Sequence, residues 1–204
     1  MRKLLMASLL TVSLMAAAPA LAKSRGFDTT IQAPLTTAVK IEIVLSEDMA
    51  HRANNLPEDR SRRGANFSRL TNNGFAQNGF YGDRDLEYLQ DTLLRSLEKR
   101  FAKKGIQIDD NAAAVLRVTI EDAHPNRPTL KQLSKSPSLS FSSLSIGGAE
   151  IAAQLTAADG SSLGDMSYRY FETDIRDSSF GSTWYDANRA IQRFAVRAAK
   201  TLQN

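Results

Sequence analysis

The stretch "AEIAAQLTAADGSSLGDMSYRYFE", residues 149–172, decides the fold. Apolar and polar side chains alternate on both sides of its centre, which is the pattern of a half-buried strand with two different faces. At the centre lies Asp159-Gly160, a dipeptide typical of the two-residue turn of a β-hairpin. The stretch therefore predicts two antiparallel strands joined at this turn.

The predicted register pairs like side chains across the hairpin. It places Ile151 opposite Tyr168 on one face. On the other face it places Glu150 opposite Arg169, an opposite-charge pair that stabilises antiparallel strands. A slip of one residue would turn every apolar side chain to the polar face, so the register is strongly specified.

The residues before the hairpin, "SPSLSFSSLSIGG" (136–148), alternate serine with larger apolar side chains. Their apolar phase shifts at Ser142-Ser143 and again at Gly147-Gly148, as it does where a bulge or kink interrupts a strand. We therefore expect an irregular strand leading into the hairpin, rather than a serine active-site loop. No helix is predicted directly after the glycines, so they offer no helix N-terminus to a phosphate.

Two other stretches alternate in the same way, "VKIEIVLSE" (39–47) and "VLRVTIED" (115–122). A further short strand is predicted at Ile106 and Ile108. Together with the hairpin, these stretches predict a mainly antiparallel sheet of about four to five strands.

Two amphipathic helices are predicted to cover one face of that sheet. The first begins near Asp83 and ends at Gly105, and the second begins after Ser182 or Thr183, with Asp186 placed for a capping box. Their apolar stripes are Leu86, Leu89, Leu93, Leu97 and Phe101 in the first, and Trp184, Ala187, Ile191, Phe194, Ala195, Ala198 and Leu202 in the second. The basic residues of both helices are interpreted as complements to the helix dipole or as solvent-facing positions. The order of elements predicts a single α+β domain over residues 39–204, with two long helices packed on one face of the sheet.

Residues 48–82 lack any periodicity and are rich in Gly, Asn and Arg, so they predict a long irregular loop within the domain. The arginines of this loop are the candidate contacts to an anionic partner such as a lipid or a polysaccharide. They are Arg52, Arg60, Arg62, Arg63 and Arg69. The alternative is a solvated loop whose positive charge is partly balanced by Glu58 and Asp59.

Residues 1–22 have the features of a secretory signal peptide: a positive head, an apolar run and an A-x-A site at Ala20 and Ala22. The run is shorter than the roughly 20 apolar residues that a membrane span requires. We expect cleavage between Ala22 and Lys23, a flexible lead-in over residues 23–38, and a periplasmic or secreted protein. No later stretch predicts a transmembrane segment.

The composition excludes several kinds of chemistry. The chain has no cysteine, which rules out disulfides, thiol nucleophiles, thiolate metal sites and lipid attachment of the lipoprotein kind. The formal net charge is +4, and Arg2 and Lys3 of the predicted signal peptide supply part of it. So weak a field, outside the cytoplasm, argues against nucleic acid as a partner.

The inventory of catalytic motifs is poor. The two histidines, His51 and His124, have no metal-binding spacing, and the H-E-x-x-H, G-x-S-x-G and P-loop motifs are absent. Glu121 and Asp122 are adjacent and are interpreted as a solvated strand edge. No catalytic, cofactor-binding or metal-binding residue is predicted, and no cofactor is expected.

Aromatic residues gather near the last strand and the second helix. They are Tyr168, Tyr170, Phe171, Trp184 and Tyr185. Two interpretations are open: the side chains line a groove for a sugar or peptide, or they belong to the core with one tyrosine hydroxyl reaching solvent.

Three motifs carry a resemblance: Gly147-Gly148-Ala149, the Asp159-Gly160 turn, and Trp184 followed by Asp186-Ala187. With them, the C-terminal two-thirds of the chain resembles a set of exported proteobacterial proteins of unknown function, which are periplasmic proteins or small envelope lipoproteins. The arrangement is also similar, at the level of fold, to the small α/β modules of envelope assembly proteins such as CsgG and the N-terminal part of TolB. The resemblance implies a fold and an envelope location, and it transfers no catalytic residue.

Two functions follow from these observations as expectations. The first is an exported, non-catalytic periplasmic module that binds a partner protein or an envelope component. The alternative is a periplasmic hydrolase or carbohydrate-active enzyme whose Ser, Asp or Glu residues are brought together only by folding.

Overall fold

The computed structural model describes residues 25–56, 74–178 and 181–203. The predicted signal peptide therefore lies outside the described residues. The elements of the described chain, in order, are β1 (Arg25–Thr29), β2 (Val39–Leu45), α1 (Glu47–Arg52), α2 (Asp83–Lys104), β3 (Ala114–His124), α3 (Leu130–Lys135), β4 (Gly148–Thr156), β5 (Ser162–Phe171) and α4 (Tyr185–Gln203).

The strands form one open sheet in the order β1-β5-β4-β3-β2. Only β2 and β3 are parallel among the described strands, and α2 lies in the connection between them; the other neighbours are antiparallel. The long helices α2 and α4 pack against each other and share one core with the sheet. The predicted fold class, a single α+β domain with a mainly antiparallel sheet and two long helices, is confirmed.

The predicted hairpin is β4 and β5, and its register is the expected one. Ile151 pairs with Tyr168 and Glu150 with Arg169. The apolar face of this pair lies in the core, where Ile151 is fully buried. Local alternation was therefore sufficient to specify both the partner strands and their alignment.

The turn itself differs from the expected two-residue form. The Gly160 N–H donates to the Ala157 carbonyl at 3.0 Å, and the Ala157 N–H donates to the Ser161 carbonyl at 2.8 Å. This is a three-residue loop whose last residue, Gly160, has a left-handed φ of 80°. The register shifts once more at Thr156, which leaves Leu163 as an extra, half-exposed residue and restores the predicted alignment.

The long helices bury the stripes that the sequence predicts. Every predicted stripe residue of α2 is buried, and so is every one of α4 together with Trp184 just before it. Gly105 ends α2 in the left-handed conformation, as expected, and the helix begins at Asp83 with Gly82 at its N-cap position.

The two helices run parallel to each other. Three hydrogen bonds join α2 to α4 or to the residue just before α4, and each links residues 99 or 100 positions apart, so the separation in sequence is nearly constant from start to end. These bonds are Trp184–Asp85, Asn188–Tyr88 and Gln203–Lys104. Parallel packing brings both helix C-termini, with their lysines, to one end of the molecule and both N-termini to the other.

Part of the expected flexible lead-in is a strand, which corrects that expectation for residues 25–29. These residues form β1 and pair with the outer edge of β5, where Phe27 lies opposite Tyr168. Beyond β1, the Leu35 N–H donates to the Leu202 carbonyl of α4 at 2.8 Å. The segment is ordered by partners at the far end of the sequence, which local patterns do not reveal.

The predicted loop over residues 48–82 also needs correction at its two ends. It begins within α1, which Ser46 caps by accepting a hydrogen bond from the Met49 N–H, and Met49 is fully buried. Its other end brings the buried side chains of Phe75 and Tyr81 against the domain. The middle of the loop, residues 57–73, lies outside the described residues.

The serine-rich stretch is not the irregular strand that its alternation predicts. Residues 136–147 are turns and loop, and the strand begins only at Gly148. Neighbouring serines satisfy each other: the Ser140 and Ser142 hydroxyls lie 2.8 Å apart, and the Ser143 hydroxyl accepts the Ser140 N–H. Such local hydrogen bonds compete with a sheet ladder. The predicted strand at 106–108 is reduced to a single bridge between Ile108 and Val39.

Candidate anion-binding face

Among the arginines predicted to contact an anionic partner, Arg52 forms ion pairs with acidic residues of the protein itself. At the end of α1, its guanidinium lies 2.6 Å from Asp122 and 3.3 Å from Asp48, and its side chain is 19% exposed. Although burial lowers the pKa of Arg52, the charge of Asp122 keeps that pKa above its ordinary value. Arg52 therefore stabilises the fold, while Arg60, Arg62, Arg63 and Arg69 lie outside the described residues.

Asp122 is not on a solvated strand edge. The ladder between β3 and β4 is irregular between Ile120 and Asp122, and the Asp122 carboxylate lies beside the Arg52 guanidinium. The His124 ring donates to the other Asp122 oxygen at 3.0 Å. Burial raises the pKa of Asp122, but the hydrogen bonds and charges of His124 and Arg52 outweigh it and hold that pKa below its ordinary value.

A cleft of about 830 Å³ opens beside this ion pair. It lies at the end of the sheet formed by His124, Gly148 and Phe171, which we call the loop end. His124, Ser145, Ile146, Arg169 and Phe171 are among its lining residues. The His124 ring lies 4.7 Å from the Phe171 ring, and the Arg169 guanidinium lies over the same ring. Arg169 is also paired with Glu150, as the hairpin register predicts, so its charge is already balanced.

A second polar cluster at the loop end fixes the start of α4. The fully buried Asp186 accepts a hydrogen bond from the Asn126 side chain at 2.6 Å and one from the Ser178 hydroxyl at 3.2 Å. The Asp186 N–H donates back to the Asn126 side-chain oxygen at 2.9 Å, and Arg189 lies 3.1 Å from the carboxylate. Asp186 thus bonds to the distant loop that carries Asn126.

A different use of charge is found along α4, where arginines recur every four residues on the outer flank. Four residues of α-helix advance by about 6 Å, so Arg189, Arg193 and Arg197 form a row. Arg189 is paired with Asp186 at 3.1 Å and with Glu172 at 3.7 Å. In the part of the chain that the structure describes, Arg193 and Arg197 have no carboxylate within ion-pair distance.

Aromatic rings of the sheet support these two arginines. The Arg193 guanidinium lies 4.6 Å from the centre of the Tyr170 ring. One helical turn later, the Arg197 guanidinium lies 5.7 Å from the rings of Tyr168 and Phe27. Such cation–π contacts hold a guanidinium in place while leaving its N–H donors free for a ligand.

Two shallow cavities join this row to α2. One, of about 590 Å³, is lined by Arg100, Arg193 and Arg197 together with Tyr168. The other, of about 260 Å³, lies between α2 and α4 and is lined by Arg95, Lys99 and Arg100. Arg100 and Gln192 border both cavities. We call this surface the basic face and define it as Arg95, Lys99, Arg100, Arg193 and Arg197.

The predicted aromatic cluster is mainly core. Tyr168, Tyr170 and Trp184 are buried, whereas Tyr185 is 39% exposed, so the core interpretation is confirmed for three of these residues. Burial and a hydrogen bond to Glu172 raise the pKa of Tyr170. Tyr170 therefore stays neutral at physiological pH, and its ring face carries Arg193 without a competing phenolate charge.

The sequence does contain a signal for the basic face. The four-residue spacing of Arg189, Arg193 and Arg197 places them on one side of the predicted α4. What the spacing could not show is the contribution of Arg100 from α2, or which arginines lack acidic partners. Both depend on the packing of elements that are distant in sequence.

Comparison with known proteins adds little to this description. No protein-family model matches the chain, and no curated protein matches it. Among solved structures, the chain is similar to a PelC dodecamer from Paraburkholderia phytofirmans, with 10% sequence identity and a TM-score of 0.42 over 88% of this chain and 97% of that one. A similarity of this size carries no functional argument.

Two absences characterise the described residues. Among them, no helix has the length and apolar character needed to cross a membrane. Within the same residues, no three His, Asp or Glu side chains come together in a way that could hold a metal ion.

Proposed function

We propose that the protein is an exported, non-catalytic periplasmic module that binds an anionic component of the cell envelope through the basic face. The observation that carries this proposal is the pair Arg193 and Arg197, held on ring faces with no carboxylate partner among the described residues. A guanidinium donates two parallel hydrogen bonds to a carboxylate or phosphate, and such charge-assisted bonds are about twice as strong as neutral ones.

The contrast with the loop end supports the same proposal. The charges that line or neighbour the cleft are paired internally, as Arg52 is with Asp122 and Arg169 is with Glu150. An incoming anion would have to displace these partners there, whereas no described carboxylate has to be displaced from Arg193 or Arg197. The basic face is therefore the surface where an external anion gains most.

The direct test is binding of polyglutamate to the purified mature chain, followed by fluorescence anisotropy at several salt concentrations. We expect the double variant Arg193→Gln with Arg197→Gln to bind at least about tenfold more weakly, equivalent to about 1.4 kcal/mol. Binding should weaken as ionic strength rises, because exposed charges are screened beyond about 10 Å at 0.1 M salt.

The matched control is Arg117→Gln. Arg117 is exposed but lies on β3, with its side chain paired to Glu42 on the neighbouring strand. This substitution removes one positive charge away from the basic face, and we expect binding to stay within about twofold of the unmodified protein. Because the control removes one charge and the double variant two, a control loss of about half the binding free energy lost by the double variant would mean that net charge alone, and not the basic face, governs binding.

Export is supported by the signal-like pattern of residues 1–22 and by the resemblance to exported envelope proteins. The measurement is the intact mass of the protein recovered from the periplasm. We expect a chain that begins at Lys23. Recovery of the uncleaved chain from the cytoplasm would contradict this part of the proposal.

A hydrolase is the second candidate, and one observation favours it. Asp122 orients the His124 ring at the wall of the cleft, and Ser145 lines the same cleft. An Asp–His pair is the arrangement that activates a hydroxyl or a water in many hydrolases. Turnover of p-nitrophenyl esters that His124→Ala abolishes would support an enzyme; no turnover above buffer would remove this candidate.

A further inference from the structure

The outer edge of β1 presents main-chain groups next to the basic face. The Thr30 N–H donates to the Asp165 carbonyl of β5 at 2.9 Å, so this pair is a hydrogen-bonded one. In antiparallel strands hydrogen-bonded and non-hydrogen-bonded pairs alternate. The main-chain groups of Phe27 and Thr29 therefore point away from β5, toward an edge where no strand of the described chain pairs.

The spacing of the arginines along α4 matches the spacing of alternate residues along this edge of the sheet. Arg193 lies over Tyr170, and Arg197, one turn later, lies over Tyr168 and over Phe27 of β1. One turn of α4 thus corresponds to two residues of strand, since four helical residues advance about 6 Å and two strand residues about 6.6 Å. A strand added beside β1 would meet successive arginines with every second side chain.

We infer that the basic face receives an extended, acidic segment of a partner polypeptide, which pairs with the outer edge of β1 and places acidic side chains beneath Arg193 and Arg197. This inference rests on the proposed function and names the class of its ligand. Main-chain hydrogen bonds to Phe27 and Thr29 supply affinity, and the alternate side chains supply specificity, as in other cases of strand addition.

The face of the sheet away from α4 determines which residues fit at the remaining positions of the added strand. Asp28 lies between Phe27 and Thr29 and therefore points to the face away from α4, and so does Asp165 of β5. Arg193 and Arg197 lie on the α4 side of the sheet, so acidic side chains of an added strand on the other face would gain no contact with them. The fitting segment therefore has acidic residues at every second position and neutral residues between them.

A membrane surface fits these observations less well. Arg193 and Arg197 are exposed, and their guanidinium groups lie against ring faces on the flank between α4 and the sheet. An extended chain can enter that flank, whereas the headgroups of a flat bilayer meet the most protruding side chains. The partner we argue for is accordingly a polypeptide, and lipid binding is an outcome that the experiment distinguishes.

The experiment compares two labelled octapeptides of identical composition, one alternating Glu and Thr, the other repeating Glu-Glu-Thr-Thr. Binding to the mature chain is measured by fluorescence anisotropy at low and physiological salt. We expect the alternating peptide to bind at least about fivefold more tightly, because only its acidic residues all lie on one face of a strand. Amide hydrogen exchange should show new protection at Phe27 and Thr29 on binding.

A third peptide tests the main-chain contacts directly. It is the alternating peptide with N-methyl groups on the residues whose N–H would face β1, which blocks strand pairing but keeps every charge. We expect this peptide to lose at least about tenfold in affinity, a difference of about 1.4 kcal/mol. The double variant Arg193→Gln with Arg197→Gln should lose a similar factor for the unmethylated peptide, and Arg117→Gln should not.

The outcomes separate this inference from the proposed function. If all peptides bind equally and the double variant still loses affinity, strand addition is wrong while anion binding stands. If vesicles of phosphatidylglycerol bind and the peptides do not, the partner is a lipid surface and the inference is overturned. If none of these anions binds, the proposed function and the inference fail together.

Discussion

At the loop end of the sheet, Arg52 and Asp186 have internal partners of opposite charge, whereas among the described residues Arg193 and Arg197 on the flank of α4 are supported by ring faces alone. The first arrangement ties together elements that are distant in sequence: α1 to β3, and the start of α4 to the loop after β3. The second arrangement joins α4 only to the adjacent edge of the sheet.

This difference separates groups that maintain the fold from groups that are available to act on a ligand. A buried charge whose partner is removed bears its full desolvation cost, so substitutions at the loop end should reduce stability. An exposed arginine that packs on an aromatic ring contributes little to the free energy of unfolding, so its substitution should mainly reduce the affinity for a ligand. Four variants test the distinction, from the largest expected effect on stability to the smallest.

Asp186→Ala should have the largest effect. It leaves the Asn126 amide and the Ser178 hydroxyl without their buried acceptor and Arg189 with Glu172 alone, and we expect a loss of about 3–5 kcal/mol in the free energy of unfolding. Urea denaturation followed by circular dichroism measures it. A loss below about 1 kcal/mol, which is the cost of an ordinary substitution, would show that the cluster is not a stabilising element.

Asp122→Asn should reduce stability by about 1–3 kcal/mol at neutral pH, because it weakens charge-assisted hydrogen bonds from Arg52 and His124. The pKa of Asp122 is lowered in the fold, so its carboxylate stabilises the protein at neutral pH, and this contribution is lost as pH falls through the folded pKa. The difference between the unmodified protein and the variant should therefore shrink in acid. Asp91→Asn, at an exposed site, is the control.

The double variant Arg193→Gln with Arg197→Gln is the counterpart on the flank. We expect it to change the free energy of unfolding by about 1 kcal/mol or less, since exposed cation–π contacts are worth about 0.5–1 kcal/mol each and are partly replaced by water. Thermal unfolding measures this alongside the binding assay. A stability loss as large as that of Asp186→Ala would remove the distinction between the two regions.

Asp85→Asn should have the smallest effect on the free energy of unfolding, and it should increase stability instead of reducing it. Burial raises the pKa of Asp85, although the hydrogen bond from the Trp184 indole partly offsets it. The charged form is thus unfavourable in the fold, and stability falls as pH rises through the folded pKa. Since asparagine still accepts the indole bond, we expect a gain of about 0.5 kcal/mol at neutral pH that disappears in acid. Trp184 is the single tryptophan, so its fluorescence reports the titration.

The parts of the fold that local patterns specify were predictable. The register of Ile151 with Tyr168, and the stripes of α2 and α4, follow from periodicities of two and three to four residues along one segment. The partners of β1 were not predictable, because Phe27 is ordered by Tyr168 and Arg197 from the other end of the chain. The serine-rich stretch was wrongly predicted to be a strand, because its serines form hydrogen bonds with one another instead of joining a sheet ladder.

For the candidate site, the sequence predicted the type of residue and of ligand but not the positions. Arginine and an anionic partner were expected, but at Arg52 and its neighbours in the loop rather than on the helices. The side chain of Arg52 is bound by Asp122 at a point where the ladder of β3 is irregular, and no local pattern shows this irregularity. Which arginines lack an acidic partner is a property of tertiary packing.

The pairing of β1 with β5 also bears on the order in which the protein folds. β1 is the first strand of the described chain and β5 is the last, and Thr29 bonds to a residue 136 positions away. The hairpin β4–β5 can close early, because its loop is short, whereas β1 must wait until residues 162–171 exist and have formed a strand. The edge that we assign to a partner is therefore completed last, and a chain arrested before β5 would be left with Phe27 and no strand to join.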